Sequence, residues 1–227
     1  NYSEKYYRIT AYRREKINFN DDAAGKYDIL VREASGSAQD NEEGNFISLP
    51  LIPYNNSIEN LLRGASEGDI ITTYNTTKKP LEEPQNKWIT SIIDNYYDFN
   101  ELEIDKGYWF AKVNESYNFT VAGKVPVTDL DILVKEASGS TQDNEEGNLL
   151  GWNSPVEKCG MSSLLPKATE RDIITTYNTT KKPLEEPQNK WLANILGTSN
   201  DFECFEPGKA YWFVKVDSPY NWTQERP

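Results

Sequence analysis

The chain is expected to be a mainly-β protein, two tandem β-sandwich or jelly-roll-like domains with at most short helices, and three observations lead there. First, an offset of 103 residues lays most of the chain on itself: Asp28 to Val31 falls on Asp131 to Val134, and Glu33 to Asn45 recurs with one difference as Glu136 to Asn148. The twenty residues Asp69 to Trp88 recur unchanged as Asp172 to Trp191, and Tyr108-Trp109-Phe110 matches Tyr211-Trp212-Phe213. Second, short runs of β-branched and aromatic residues alternate with clusters of Gly, Asn, Asp and Pro, the spacing of small all-β domains. Third, the chain is lean in aliphatic residues but holds 6 Trp and 14 Tyr, large side chains with a polar tip that suit thin β layers.

Taken in order, residues 1–17 form an extra N-terminal arm, in which Tyr6 to Arg13 alternates well enough to be a strand. Residues 18–120 form the first repeat and 121–227 the second. Within the first, Asp28 to Glu33, Ile70 to Tyr74 and Gly107 to Val113 read as strands. Ser57 is placed to cap a short helix over Ile58 to Arg63, with Leu61 and Leu62 facing inward and Gly64 closing it. Thr76 to Asn86, with its two prolines and its Lys and Glu pairs, reads as a solvated loop.

The repeats match most closely in stretches that look like polar loops, whereas Phe46 to Gly68 agrees with Leu149 to Arg171 at only four of 23 positions. A shared core alone would give the reverse. Two readings stay open: a recent duplication that left identical tracts, and two modules presenting the same surface to the same kind of partner.

Module 1 contains Asn45-Phe46-Ile47-Ser48-Leu49-Pro50-Leu51, then Tyr74-Asn75, Trp88 and Gly107-Tyr108-Trp109. This set resembles a β-rich repeat module of archaeal and bacterial cell-surface proteins, marked by a "WN-ISLPL" strand, a "YN…W" pair and a closing "GYW". Gly44 stands where that module usually has Trp, Ala210 replaces the glycine in module 2, and Leu149-Leu150-Gly151-Trp152-Asn153 replaces the "ISLPL" strand there. The resemblance implies an extracellular, structural or adhesive protein with no catalytic residues to carry over. In general character the chain is also similar to protomers of glycosylated extracellular fibrils.

Composition narrows the chemistry. The chain has no His, which removes Ser-His-Asp and Cys-His nucleophiles, imidazole bases and His-ligated metals. Lys and Arg number 24 against 36 Asp and Glu, a net charge of −12 that argues against nucleic acid as a partner. No apolar run reaches the roughly 18 residues of a membrane span. With Asn1 first and no hydrophobic leader, the chain reads as a mature soluble product or a fragment of one.

Seven Asn-x-Ser/Thr sequons, at Asn1, Asn55, Asn75, Asn114, Asn118, Asn178 and Asn221, make N-linked glycans the expected modification. Cys159 and Cys204 both lie in module 2, and their module 1 counterparts are Asn56 and Glu101, so the pair is present or absent together. That favours a disulfide and an oxidising compartment over two separate thiols. The acidic stretches containing Asp40, Glu42, Asp143 and Glu145 offer oxygen ligands for Ca²⁺ but lack EF-hand spacing, and a solvated acidic turn is the better reading. No other cofactor is expected. No pair of carboxylates stands out as a glycosidase acid and base. The four repeat-matched tryptophans, Trp88, Trp109, Trp191 and Trp212, read as packing rather than sugar platforms, while Trp152 and Trp222 are open.

The expected function is therefore a non-enzymatic extracellular structural glycoprotein, a protomer of a fibril, filament or surface layer whose partners are copies of itself. Its arm would add a strand to an open sheet edge of the next copy. The arm's other reading is a strand within its own module or a frayed tail. The alternative function is a carbohydrate-binding or adhesion module.

Overall fold

The structure is a computed structural model that describes residues 24–34, 44–75, 88–139, 146–178 and 191–225. It is mainly β, with two short helices among these residues. Module 1 contains β1 (Ala24–Val31), β2 (Asn45–Ile47), β3 (Ile52–Pro53), α1 (Ile58–Leu61), β4 (Ile70–Tyr74), β5 (Trp88–Ile92), β6 (Tyr96–Tyr97), β7 (Tyr108–Lys112) and β8 (Tyr117–Lys124). Module 2 contains β9 (Leu130–Val134), β10 (Asn148–Gly151), β11 (Lys158–Cys159), α2 (Met161–Leu164), β12 (Ile173–Tyr177), β13 (Trp191–Ile195), β14 (Ser199–Asn200), β15 (Cys204–Phe205), β16 (Ala210–Lys215) and β17 (Tyr220–Gln224).

Each module is a sandwich. A five-stranded antiparallel sheet, β2-β7-β4-β5-β6 in one module and β10-β16-β12-β13-β14 in the other, packs against an outer sheet, β1-β8-β3 or β9-β17. Both five-stranded sheets carry the same bulge: the partner of Ile70 is Lys112 but that of Ile71 is Phe110, and Ile173 and Ile174 repeat this with Lys215 and Phe213. The sandwich cores are separate. Ile29, Val31, Ile71, Phe110, Phe119 and Val121 centre the first, and Val134, Ile174, Phe205, Phe213 and Trp222 centre the second.

The repeated tracts supply the fasteners. Asn45 accepts from the Arg32 N–H (2.9 Å) and donates to its carbonyl (2.9 Å), tying the end of β1 to β2, and Asn148 does the same to Lys135. The buried carboxylate of Asp69 accepts from the backbone N–H groups of Ser66 and Asn114, and Asp172 accepts from those of Thr169 and Asp217. Buried polar groups held in this way specify the loop crossings, so these positions are structural.

Several expectations need adjustment. α1 covers Ile58–Leu61 with Leu61 and Leu62 buried, but the Ser57 hydroxyl makes no cap; it accepts from the Asn60 amide (2.7 Å). Gly64 is not left-handed; it is small because the Tyr117 ring lies where a Cβ would stand, 2.5 Å away. Module 2 has its own short helix, α2, entered through Gly160 at φ 89°. β8 continues past the 120/121 boundary given by the repeat offset and pairs with β1 as far as Lys124. The arm, residues 1–17, and its strand-like Tyr6 to Arg13 lie outside the described residues.

Candidate functional site

The central strands of each five-stranded sheet are buried on both faces, because the two modules pack against each other through the faces turned away from the outer sheets. Phe46, Tyr74, Trp109 and Ala111 of module 1 meet Leu149, Tyr177, Ala210, Trp212 and Val214 of module 2, with Ile70, Trp88, Ile173 and Trp191 at the margin. The ring contacts are reciprocal. Trp88 stacks on Trp212 (centroids 5.4 Å, planes 23°), and its counterpart Trp191 stacks on Trp109 (5.8 Å, 19°). Tyr74 meets Trp212 edge to face at 4.9 Å, and Tyr177 meets Trp109 at 5.1 Å. Backbone contacts follow the same rule: Ile47 bridges to Lys209, and the equivalent Leu150 bridges to Lys106. Ser48 N–H donates to Gly208 (3.0 Å), and Gly151 N–H donates to Asp105 (3.4 Å). One surface used twice against itself is a quasi-two-fold, isologous interface inside a single chain.

This face contains the ends of the longest identical tract. Ile70, Tyr74 and Trp88 all lie in the segment Asp69 to Trp88 that recurs unchanged, so its ends are interface rather than exposed loop. The residues between, 76–87 and 179–190, lie outside the described residues. The two modules do present the same surface, and each is the other's partner. Gly44 and Gly147 lie beside the same rings: a Cβ on either would stand 2.5 Å from the indole of Trp109 or Trp212. Burial, with the Glu146 carboxylate from the other module as a second cause, raises the Tyr74 hydroxyl well above its ordinary value. Trp152 and Trp222, in contrast, sit in the core of module 2, stacked at 6.1 Å.

The sequons are spread over other surfaces. Asn118 and Asn221 hold equivalent exposed positions on the outer sheets, opposite Leu30 and Leu133 in the strand register. Those leucines are 48% and 52% exposed. The sequon threonines are also matched, Thr120 donating to Asp28 and Thr223 to Asp131, each at 2.6 Å. Asn55 and Asn114 are exposed, but Asn55 accepts from the Ser57 N–H and the Asn114 amide donates to the Glu67 carbonyl (3.0 Å). Asn75 and Asn178 are half-buried beyond the ends of β4 and β12, and Asn1 lies outside the described residues.

Cys159 and Cys204 are joined, directly opposite each other on β11 and β15. In module 1 the same two places are taken by Asn56 and Glu101, whose side chains share a hydrogen bond of 3.1 Å. The modules thus fasten one crossing in two chemistries, one covalent and one polar. Asp40, Glu42, Asp143 and Glu145 lie outside the described residues. Among the described residues, Glu157, Cys159 and Cys204 are the one set of possible metal ligands within reach of each other, and both sulfurs are spent on the disulfide. The buried carboxylates among the described residues, Asp69 and Asp172, are spent on backbone N–H groups.

The fold and this face define a tandem β-sandwich protein whose two repeats form an internal quasi-two-fold pair. Comparison with protein-family models, with curated proteins and with solved structures found no match.

Proposed function

We propose that the protein is an extracellular structural glycoprotein of the cell surface, a protomer of a fibril, filament or surface layer whose partners are copies of itself, and that it is not an enzyme. The observation that carries this reading is the pair of outer sheets. Each presents a sequon, Asn118 or Asn221, beside an exposed leucine that a glycan would cover. Each also ends in strands unpaired on one side among the described residues: β1 and β3 in module 1, β9 and β17 in module 2. Open edges are templates for strand addition, and head-to-tail contacts that do not close on themselves build filaments. The arm, with Tyr6 to Arg13 alternating, is the segment for that addition.

The disulfide suits an oxidising compartment, and among the described residues no helix is long and apolar enough to cross a membrane. The carbohydrate-binding alternative rests on exposed Trp and Tyr: the six tryptophans are buried or half-buried, while Tyr54, Tyr96 and Tyr97 are exposed. The experiment is intact mass and negative-stain microscopy of native material. A mass above 26.0 kDa by glycan increments, together with regular polymers that disappear on deleting residues 1–17, is expected. An unmodified mass removes the glycan. Monomers throughout, binding glycans, move the assignment to the carbohydrate-binding class, and assembly unchanged without the arm refutes strand addition.

A further inference from the structure

At a two-fold axis each residue meets its own counterpart, and two such meetings occur at the module interface. Gly107 lies against Ala210, its equivalent at the repeat offset of 103, and a Cβ on Gly107 would stand 2.7 Å from the Cβ of Ala210. Gly151 lies against Ser48, again its equivalent, and a Cβ on Gly151 would stand 2.7 Å from that of Ser48. Real Cβ atoms do not approach so closely. The glycine falls in module 1 at one place and in module 2 at the other. Neither Gly107 nor Gly151 has a positive φ, so backbone conformation does not account for either glycine.

We infer that these four residues form a two-way steric code that makes the face accept only the opposite module. Two copies of module 2 face to face would set Ala210 against Ala210, and two copies of module 1 would set Ser48 against Ser48, each at a separation the backbone contacts around the axis forbid. Those contacts are close: Gly107 N–H donates to Leu149 (3.1 Å), and the Ser48 hydroxyl donates to the Lys209 carbonyl (2.7 Å). The Tyr and Trp residues of the face are identical in the two modules and do not discriminate, whereas Phe46 with Leu149 and Ala111 with Val214 are equivalent pairs that differ. The steric part of the rejection rests on the two positions where a methyl or hydroxymethyl group meets hydrogen. Any exchange of modules between chains is confined to contacts of module 1 with module 2. This inference stands apart from the proposed function, because it concerns how the face chooses its partner.

Variants of the full chain install each forbidden meeting without separating the modules. Gly107→Ala recreates the contact of two copies of module 2, and Gly151→Ser recreates that of two copies of module 1. The swaps G107A/A210G and S48G/G151S restore one glycine to each meeting. In urea unfolding, both single substitutions are expected to lower the midpoint and both swaps to be more stable than their single substitutions add up to; the contacts of a Cβ at Gly107 with Leu149 and Leu150, and at Gly151 with the Lys106 carbonyl, stay in the swaps and keep recovery partial. Ala210→Gly and Ser48→Gly, measured alone, give the additive expectation. The code is refuted if Gly107→Ala and Gly151→Ser leave the midpoint where it was, or if each swap is no more stable than its two single substitutions predict by addition.

Discussion

Trp109→Ala probes the inter-module face at one of its buried rings. Trp109 is 1% exposed, lies edge to face with Phe46 and Tyr177 and stacks on Trp191. Its indole N–H has no hydrogen-bond partner among the described residues, so the substitution removes packing and leaves no new unpaired group there. Burying about 200 Å² of aromatic surface at about 25 cal/mol per Å² gives about 5 kcal/mol, close to the 3–5 kcal/mol typical of Trp→Ala in a core. Trp212→Ala removes the equivalent ring, so the quasi-symmetry requires the two losses to agree within about 1 kcal/mol, the scale of one ring-pair contact. With a urea slope of about 2 kcal/mol per molar, a loss of about 4 kcal/mol shifts the midpoint by about 2 M. Tyr54→Ala, at a side chain 64% exposed, serves as control and is expected to cost under about 0.5 kcal/mol. A loss below about 1 kcal/mol for Trp109→Ala, or a large loss for one tryptophan and not the other, refutes the face as described.

Three further outcomes follow from the geometry. Tyr74, Tyr108, Tyr117, Tyr211 and Tyr220 all have hydroxyl groups raised by burial above the ordinary 10.0, so the unfolded chain releases protons first. Stability is then full below about pH 10 and falls as pH rises beyond it, by up to about 1.4 kcal/mol per pH unit for each tyrosine, which urea melts between pH 8 and 11 will register. Reducing Cys159–Cys204, which closes a separation of 45 residues, is expected to cost about 4 kcal/mol in the chain-entropy model, read as a lower melting temperature in reductant. Asp172→Ala strips the acceptor from the N–H groups of Thr169 and Asp217, at about 1–3 kcal/mol for each buried donor left unpaired, measured by denaturant unfolding.

Much of the fold was legible in the sequence because the repeat fixes it twice. The strands at Ile70 to Tyr74 and around Tyr108, the helical turn after Ser57, the disulfide and the packing role of the four repeat-matched tryptophans all follow from local patterns. The inter-module face did not, and the reason is physical. In Ile70-Ile71-Thr72-Thr73-Tyr74 both faces of the strand are buried, so the usual contrast between a polar and an apolar side is missing. Thr73, polar by type, is buried and donates to the Gly107 carbonyl at 2.8 Å. α2 was missed because Gly160 enters it without a capping side chain. The poor match of Phe46 to Gly68 with Leu149 to Arg171 goes with different local structure: β3 pairs with β8 in module 1, whereas among the described residues β17 of module 2 pairs only with β9. The matched sequons at Asn118 and Asn221 were visible in the sequence, but the leucines opposite them required the strand register.

The account turns on the two modules meeting through their duplicated tracts, and nuclear Overhauser contacts between indole protons test it most directly. Contacts between Trp88 and Trp212 and between Trp191 and Trp109 are predicted, alongside the contact of Trp88 with Tyr74 inside one module. Observing the Trp88–Tyr74 contact with neither cross-module pair would contradict the quasi-two-fold face and everything argued from it.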